Sequence, residues 1–415
     1  MASEVTVWDS TPVQGFQLNM LVLGSLLIGG ALISGITHRS FLSLTALYVL
    51  AGFALGAGGF GVLDFSAHDH FIEDLAVVAL TVILFRDGLE VEAEMLQREW
   101  RVPLRKLILA MPITAAIIAV AAHQLVGLGW LEAFLLGALL APTDPVLSSS
   151  VVTNPLVPRR VRHSLNLESG LNDGLALAPV IALSAALAAG GGHFVWWRFI
   201  LEDLSIGFAA GIAIGLVAAL LLPRAESLDE GIPGHQKVLF ALGVATATYG
   251  GLAYGGHGNP FIAVFVCAIT LAVRRPDLRG YVARGTDEIM EIVKLGVFVV
   301  FGSILTLDGL FQHGWAAVAV LLITLLVARP VAVWAALLGV KPTIDRQTLG
   351  FMAWFGPKGV ATMTFSLFVL GEGLEAGREI TNLAALVVVG SILAHGLTDG
   401  PGAAWMGRHA ARATR

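Results

Sequence analysis

Apolar residues run along this chain in blocks of about twenty, separated by short polar loops, and that pattern predicts helices that cross a bilayer. A window of roughly 19 residues picks out thirteen blocks, at 17–36, 41–63, 71–89, 107–126, 131–151, 163–188, 201–222, 237–254, 259–273, 287–305, 315–338, 348–370 and 380–402. The ninth is short. The longest loops hold about 15 residues, which leaves no room for a nucleotide-binding or long regulatory domain outside the membrane. The expected fold is an all-α polytopic membrane protein with about 13 transmembrane helices.

Composition agrees with the pattern. Of 415 residues, 56% are hydrophobic and 13% charged, too few polar groups to cover a water-soluble domain. The 48 glycines suit membrane helices, whose backbones approach closely over small residues. A single cysteine, Cys267, excludes an internal disulfide framework and a Cys-rich metal site. It lies within an apolar run and reads as inert packing. The first sixteen residues contain Glu4 and Asp9 but no Lys or Arg, unlike a signal peptide, so the first block counts as a helix.

Basic residues test the count independently, because one missed span would scramble their alternation. Loops after odd-numbered spans, with the tail, hold 19 of the 25 Lys and Arg residues. Among them are Arg101, Arg105 and Lys106 after span three, and Arg159, Arg160 and Arg162 after span five. The opposite loops hold Arg198 and Arg378, while Arg86, Lys294, Arg329 and Lys358 fall inside spans. The N-terminus is therefore expected outside and the C-terminus in the cytoplasm, in a multi-pass protein of the cell (inner) membrane.

Two spans contain helix-breaking residues. Span five reads LLGALLAPTDPVLSSSVV and span twelve TLGFMAWFGPKGVATMTF. Proline lacks an amide donor and clashes with the preceding turn, so Pro142, Pro145 and Pro357 should interrupt their helices. Freed backbone groups survive at that depth only inside protein or beside a cavity. The preceding spans match too, with Pro112 in span four and Pro330 in span eleven. Seven spans separate the units, an odd number, so spans 4–6 and 11–13 would run in opposite directions as an inverted repeat with two crossing, interrupted helices. Such pairing points to a secondary-transporter site; the plainer account is two unrelated proline kinks.

Charges cluster where lipid should forbid them. Asp144, Asp173 and Lys358 fall near the middle of their spans, with Arg329 nearer the cytoplasmic side. Asp144 and Lys358 are placed to neutralise the partial charges at broken helix ends, so Asp144 is as much a dipole partner as an ion ligand. On span six, Glu168 and Asn172 share one face, and Ser169 and Asp173 a neighbouring one. Glu168 needs a partner, and Arg329 is the natural one. Asp173, Ser169, Asp144 and a backbone carbonyl near Thr143 offer hard oxygen ligands for a small monovalent cation. No His or Cys points there, which excludes a transition-metal cage.

These motifs resemble the monovalent cation/proton antiporter-1 family, relatives of the sodium/proton exchangers. The resemblance rests on Thr143-Asp144-Pro145, Glu168-Ser169 with Asn172-Asp173, Ala328-Arg329 and Gly356-Pro357-Lys358-Gly359, with a weaker match over residues 84–90. It implies a homodimer with a core of spans 4–6 (107–190) and 11–13 (315–415). The dimerisation panel would be spans 1–3 (1–106) and 8–10 (237–314), with span seven (191–236) as the linking helix. It further implies that Asp173 carries cation and proton in turn, and that Thr143, Asp144 and Ser169 help hold the ion. Glu168, Asn172 and Arg329 would form a supporting network. The family more often has Arg where Lys358 stands. A related branch has a second Asp at the Asn172 position, so the neutral residue here implies electroneutral one-for-one exchange. The cation would be Na⁺, or else K⁺ or Li⁺, with a role in pH homeostasis; no cofactor and no nucleic-acid partner are expected, and the chain is a transporter rather than an enzyme.

Other polar groups invite plainer readings. Glu73 and Asp74 at the outer end of span three, and Glu288, Glu291 and Lys294 at the inner end of span ten, read as interfacial solvation rather than a cation funnel. Arg86 and Asp87 read as a local ion pair. His123 and His163 read as interfacial packing, and Trp196, Trp197 and Trp315 as belt anchors. Two rival functions use the same residues: an intramembrane aspartyl protease with Asp144 and Asp173 as its dyad, and a cation channel. The prolines flanking Asp144 and the Glu168–Arg329 pair have no place in the first, and the chain lacks the filter-like loop of the second.

Overall fold

The computed structural model describes residues 11–37, 44–63, 65, 70–91, 101–144, 149–190, 194–222, 233–340 and 345–413. Every secondary-structure element among them is helical. Each of the thirteen predicted blocks overlaps a helix, but only six helices are both long and apolar enough to cross a membrane by themselves. These are Val102–Val126, Arg159–Ala188, Trp196–Leu221, Gly234–Gly255, Trp315–Leu337 and Gly377–Ala410. Among the described residues, six helices rather than thirteen therefore qualify as spans by themselves, and the shortfall has two physical causes. Spans five and twelve are broken, leaving apolar helices Trp130–Leu140 and Val360–Gly371, and the helices of spans one, two and nine have apolar parts shorter than a bilayer. Spans three (His70–Glu90) and ten (Pro276–Ser303) are long enough but carry several charges. Pro145 and Lys341 lie outside the described residues.

The repeat inferred from prolines has a second signature. Span four opens into a π-helical turn over Lys106–Ala110, followed by Met111 and Pro112. Span eleven does the same over Thr324–Ala328, followed by Arg329 and Pro330. Proline cannot donate to the preceding turn, and the ladder widens by one residue to accommodate it. Five π-helical residues and then X-Pro, at equivalent places in two three-helix units, argue against unrelated kinks.

Packing follows these units. Spans four, five and six contact one another, span eleven lies on span four, and spans twelve and thirteen pack together and against span five. Spans seven and three both lie along span nine, and span two along span ten. Span three bridges the groups, touching span six and the second half of span twelve. One large apolar core runs through most helices, and a smaller one, around Val161, Val333, Phe351 and Met406, closes the ends of spans four, six, eleven, twelve and thirteen. Cys267 is buried in the larger core as expected of inert packing.

Candidate ion site

The break in each interrupted helix is capped by the other. Span five stops at Leu140, and the Lys358 ammonium donates to the carbonyls of Ala141 (3.2 Å) and Pro142 (3.1 Å) just beyond it. The second half of span twelve starts at Val360, whose amide donates to Asp144 Oδ2 (3.0 Å). The Asp144 amide in turn donates to the Pro357 carbonyl at 2.9 Å. A cation at helix C-terminal carbonyls and a carboxylate at a helix N-terminus each oppose the local dipole, and these contacts satisfy backbone groups that the breaks leave free. Glycine is required at both ends of Gly356-Pro357-Lys358-Gly359. A Cβ on Gly356 would fall 2.0 Å from Arg329 Nε, and one on Gly359 2.5 Å from Asp144 Oδ2. Ser391 Oγ accepts from the Lys358 amide (2.9 Å), and His395 Nε2 meets the Trp354 carbonyl (2.9 Å), so span thirteen braces the same break.

Span six lies across this crossing and carries the remaining acids. Glu168 is buried and takes both terminal nitrogens of Arg329, at 3.0 Å and 3.3 Å, the bidentate pairing expected from sequence. Arg329 Nη2 also lies 3.4 Å from the Met352 and Phe355 carbonyls. A second cation was missed. Lys106, assigned to the loop after span three, is wholly buried in the π turn of span four and forms an ion pair with Glu168 Oε2. The hydropathy window opened span four at residue 107 and so left Lys106 one position outside. Asn172, one turn beyond Glu168, donates from Nδ2 to the Thr143 carbonyl (2.9 Å) and hydroxyl (3.0 Å), tying span six to the break in span five.

Asp173 is different. It is buried, and its Oδ1 has no hydrogen-bond partner; the same holds for the neighbouring Asn172 Oδ1. Its carboxyl lies against that of Asp87 on span three, within hydrogen-bonding reach, with Asp144 and Lys294 in electrostatic range. Asp87 does form the expected local pair with Arg86 (3.4 Å), but Arg86 also holds Glu90 at 2.8 Å, and Asp87 itself is buried against the site. The local pair is thus present, and Asp87 faces the candidate site as well.

The structure therefore gathers Thr143, Asp144, Asn172, Asp173, Glu168, Arg329 and Lys358 around one crossing, with Ser169 buried one turn before Asp173. Among the described residues, no three His, Cys, Asp or Glu side chains converge to hold a metal ion. The oxygens are acceptors, hard ligands of the kind that suit an alkali cation.

The chain is also similar to known proteins. A family model described as "Sodium/hydrogen exchanger, transmembrane" matches residues 24–405. The chain is 26% identical over 363 residues to the K(+)/H(+) antiporter NhaP2 of Shewanella sp. (strain ANA-3), covering 87% of this chain and 62% of that relative. It is 25% identical over 400 residues to the K(+)/H(+) antiporter NhaP of Alkalimonas amylolytica, covering 95% of this chain and 68% of that protein. The chain thus spans somewhat under two thirds of the first relative's length. Its fold is similar to that of the sodium proton antiporter MjNhaP1 from Methanocaldococcus jannaschii at pH 8, with a TM-score of 0.77 at 18% identity over 95% of this chain and 98% of that one.

Proposed function

This chain belongs to the sodium/hydrogen exchanger family, and from that premise we propose that it is a secondary-active antiporter exchanging a monovalent cation for a proton across the cell membrane. The observation that carries the reading is the pair of buried, unpartnered oxygens on Asp173 and Asn172 beside a braced helix crossing. A buried carboxylate with a free oxygen must acquire a proton or a cation, because leaving it ionised and bare is costly. It cannot hold both at once, so the two become competing substrates carried in opposite directions. Thr143, Asp144 and Ser169 add oxygen ligands; Glu168, Asn172, Arg329 and Lys358 hold the frame.

Asp87 belongs in this set. It reaches Asp173 from span three, so the ion site sits between two bodies that we take to move: a core of spans 4–6 and 11–13, and a panel of spans 1–3 and 8–10 linked by span seven. Rocking of one against the other would expose Asp173 to each side in turn. The panel is also the face on which we place a homodimer, with the N-terminus outside and the C-terminus in the cytoplasm. Exchange is one for one, because Asp173 is the group that changes load and Asn172 is neutral. Na⁺ is the first candidate cation, with K⁺ and Li⁺ the alternatives; the named relatives include both K⁺ and sodium antiporters.

Reconstitution into proteoliposomes with an entrapped pH-sensitive dye tests the reading. Addition of one alkali cation should collapse an imposed pH gradient in a saturable way. No response to Na⁺, K⁺ or Li⁺ would overturn it.

A further inference from the structure

We propose that Lys106 is the fixed counter-charge of Asp173, weakening the site's hold on its cation so that the cation can leave. The inference rests on the antiporter reading and starts from a count of buried charges around the crossing. Asp144 and Lys358 are each assigned to a broken helix end, by Val360 N at 3.0 Å and by the Ala141 and Pro142 carbonyls. Glu168 and Arg329 neutralise one another through two hydrogen bonds. That leaves one cation, Lys106, and two acids, Asp173 and Asp87, of which Asp87 also pairs with Arg86 at 3.4 Å. Asp399 is buried nearer the cytoplasmic end of the last helix, where it has contacts of its own.

Lys106 is not needed to neutralise Glu168, since a bidentate guanidinium already does so. Its side chain is nevertheless fully buried and ion-paired to the same carboxylate. Removing an ammonium from water is unfavourable unless its charge is used. Glu168 and Asp173 stand five residues apart on one helix, about 7.5 Å of rise, so the extra positive charge acts on Asp173 through low-dielectric protein without touching it. The charged groups facing Lys106 are Glu168 on span six and Arg329 on span eleven. Those facing Asp173 are Asp87 on span three, Asp144 on span five and Lys294 on span ten. Asp87 and Asp144 strengthen cation binding and Lys294 opposes it; Lys106 adds to the opposing side from within the core. A transporter needs a site weak enough to release its cargo, and a buried ammonium fixed by an ion pair provides that without occupying the site.

The test separates this electrostatic role from a mechanical one by sign. Loss of a mere brace would raise the half-saturating cation concentration or lower only the maximal rate. Loss of a counter-charge should lower the half-saturating concentration, by roughly three- to tenfold for a charge at this range, and slow the turnover limited by release. Lys106→Gln and Lys106→Met, assayed in proteoliposomes at fixed alkaline pH, should both show that split, and Lys106→Arg should keep wild-type values. The double variant Lys106→Gln with Glu168→Gln removes one charge of each sign and should return half-saturation towards wild type. If the single neutral variants do not fold, Lys106→Arg and the double variant carry the test, and a half-saturating concentration well above wild type in the double variant overturns the proposal. An unchanged or raised half-saturating concentration in folded Lys106→Gln overturns it directly. Absence of exchange in the wild type would instead mean that the antiporter reading itself had failed.

Discussion

Glu168 and Asp173 sit on the same helix, equally buried, and the protein treats them in opposite ways. Glu168 is met by two cations from two different helices, and both its oxygens are taken. Asp173 is met by another acid, and one of its oxygens has no partner. A satisfied carboxylate in a membrane protein is structure; an unsatisfied one calls for something from outside. The contrast supports reading the first region as structural and the second as the proposed transport site, and each of the following experiments would break or sharpen that reading.

The largest effect is expected at Asp173. Asp173→Asn keeps the side-chain volume and removes the charge proposed to alternate between cation and proton, so exchange should be abolished while the melting temperature stays near wild type. Exchange at the wild-type rate would move the carrier elsewhere. Arg329→Ala should do the reverse and strike folding first. Stripping one partner from a buried pair costs about 3–5 kcal/mol, and here Glu168 would keep only Lys106. Lys358→Ala should cost less, because Lys358 pairs with backbone carbonyls and leaves no buried ion behind. Glu168→Gln combined with Arg329→Ala should recover part of the loss in thermal unfolding. Strict additivity of the two changes would show that they are not partners.

Asp87→Asn tests whether the second carboxyl belongs to the site. With the Arg86 contact reduced to a neutral hydrogen bond and Asp173 intact, exchange should slow and the half-saturating cation concentration should rise, without the total loss seen at Asp173. An unchanged kinetic profile would return Asp87 to its local pairing with Arg86.

How far these regions could be read from the chain itself depends on the kind of signal. The broken helices, the Glu168–Arg329 pair and the Asp144 and Lys358 caps were legible because proline and buried charge are rare in lipid-crossing segments, and each rarity has few physical remedies. Lys106 was left in a loop, and Asp87 was read only as a local pair, because both lie near helix ends, where hydropathy averages over a window and a charge looks solvated. Their burial comes from neighbouring helices that fold over those ends, which no local pattern reports. The π turns were invisible for a related reason: Pro112 and Pro330 announce a disturbance but not whether the helix kinks, stops or widens. The count of thirteen blocks located a helix each time. It could not say that only six would be long and apolar enough to cross a membrane unaided.

The smallest expected effect is none at all, and it is the most exposed of these expectations. If Asp173 is the group that exchanges a proton for a monovalent cation, each cycle moves no net charge, and clamping the membrane potential at different values with valinomycin should leave the rate unchanged. Asn172 enforces this in two ways. It is neutral, and its Nδ2 donates to both the carbonyl and the hydroxyl of Thr143, a task that a carboxylate cannot perform. Asn172→Asp should therefore loosen the tie between span six and the break in span five and slow exchange, whatever it does to charge. If the new acid joins the cycle, the slower exchange also becomes sensitive to potential. In the wild type, Asp87 beside Asp173 and Lys358 at the crossing are two buried groups positioned to add a second proton. Current measurement on a solid-supported membrane decides the matter. A sustained, cation-dependent transport current from wild-type protein would sink the electroneutral reading, and its loss in Asp87→Asn but not in Lys358→Ala, or the converse, would identify which of the two carries the second proton.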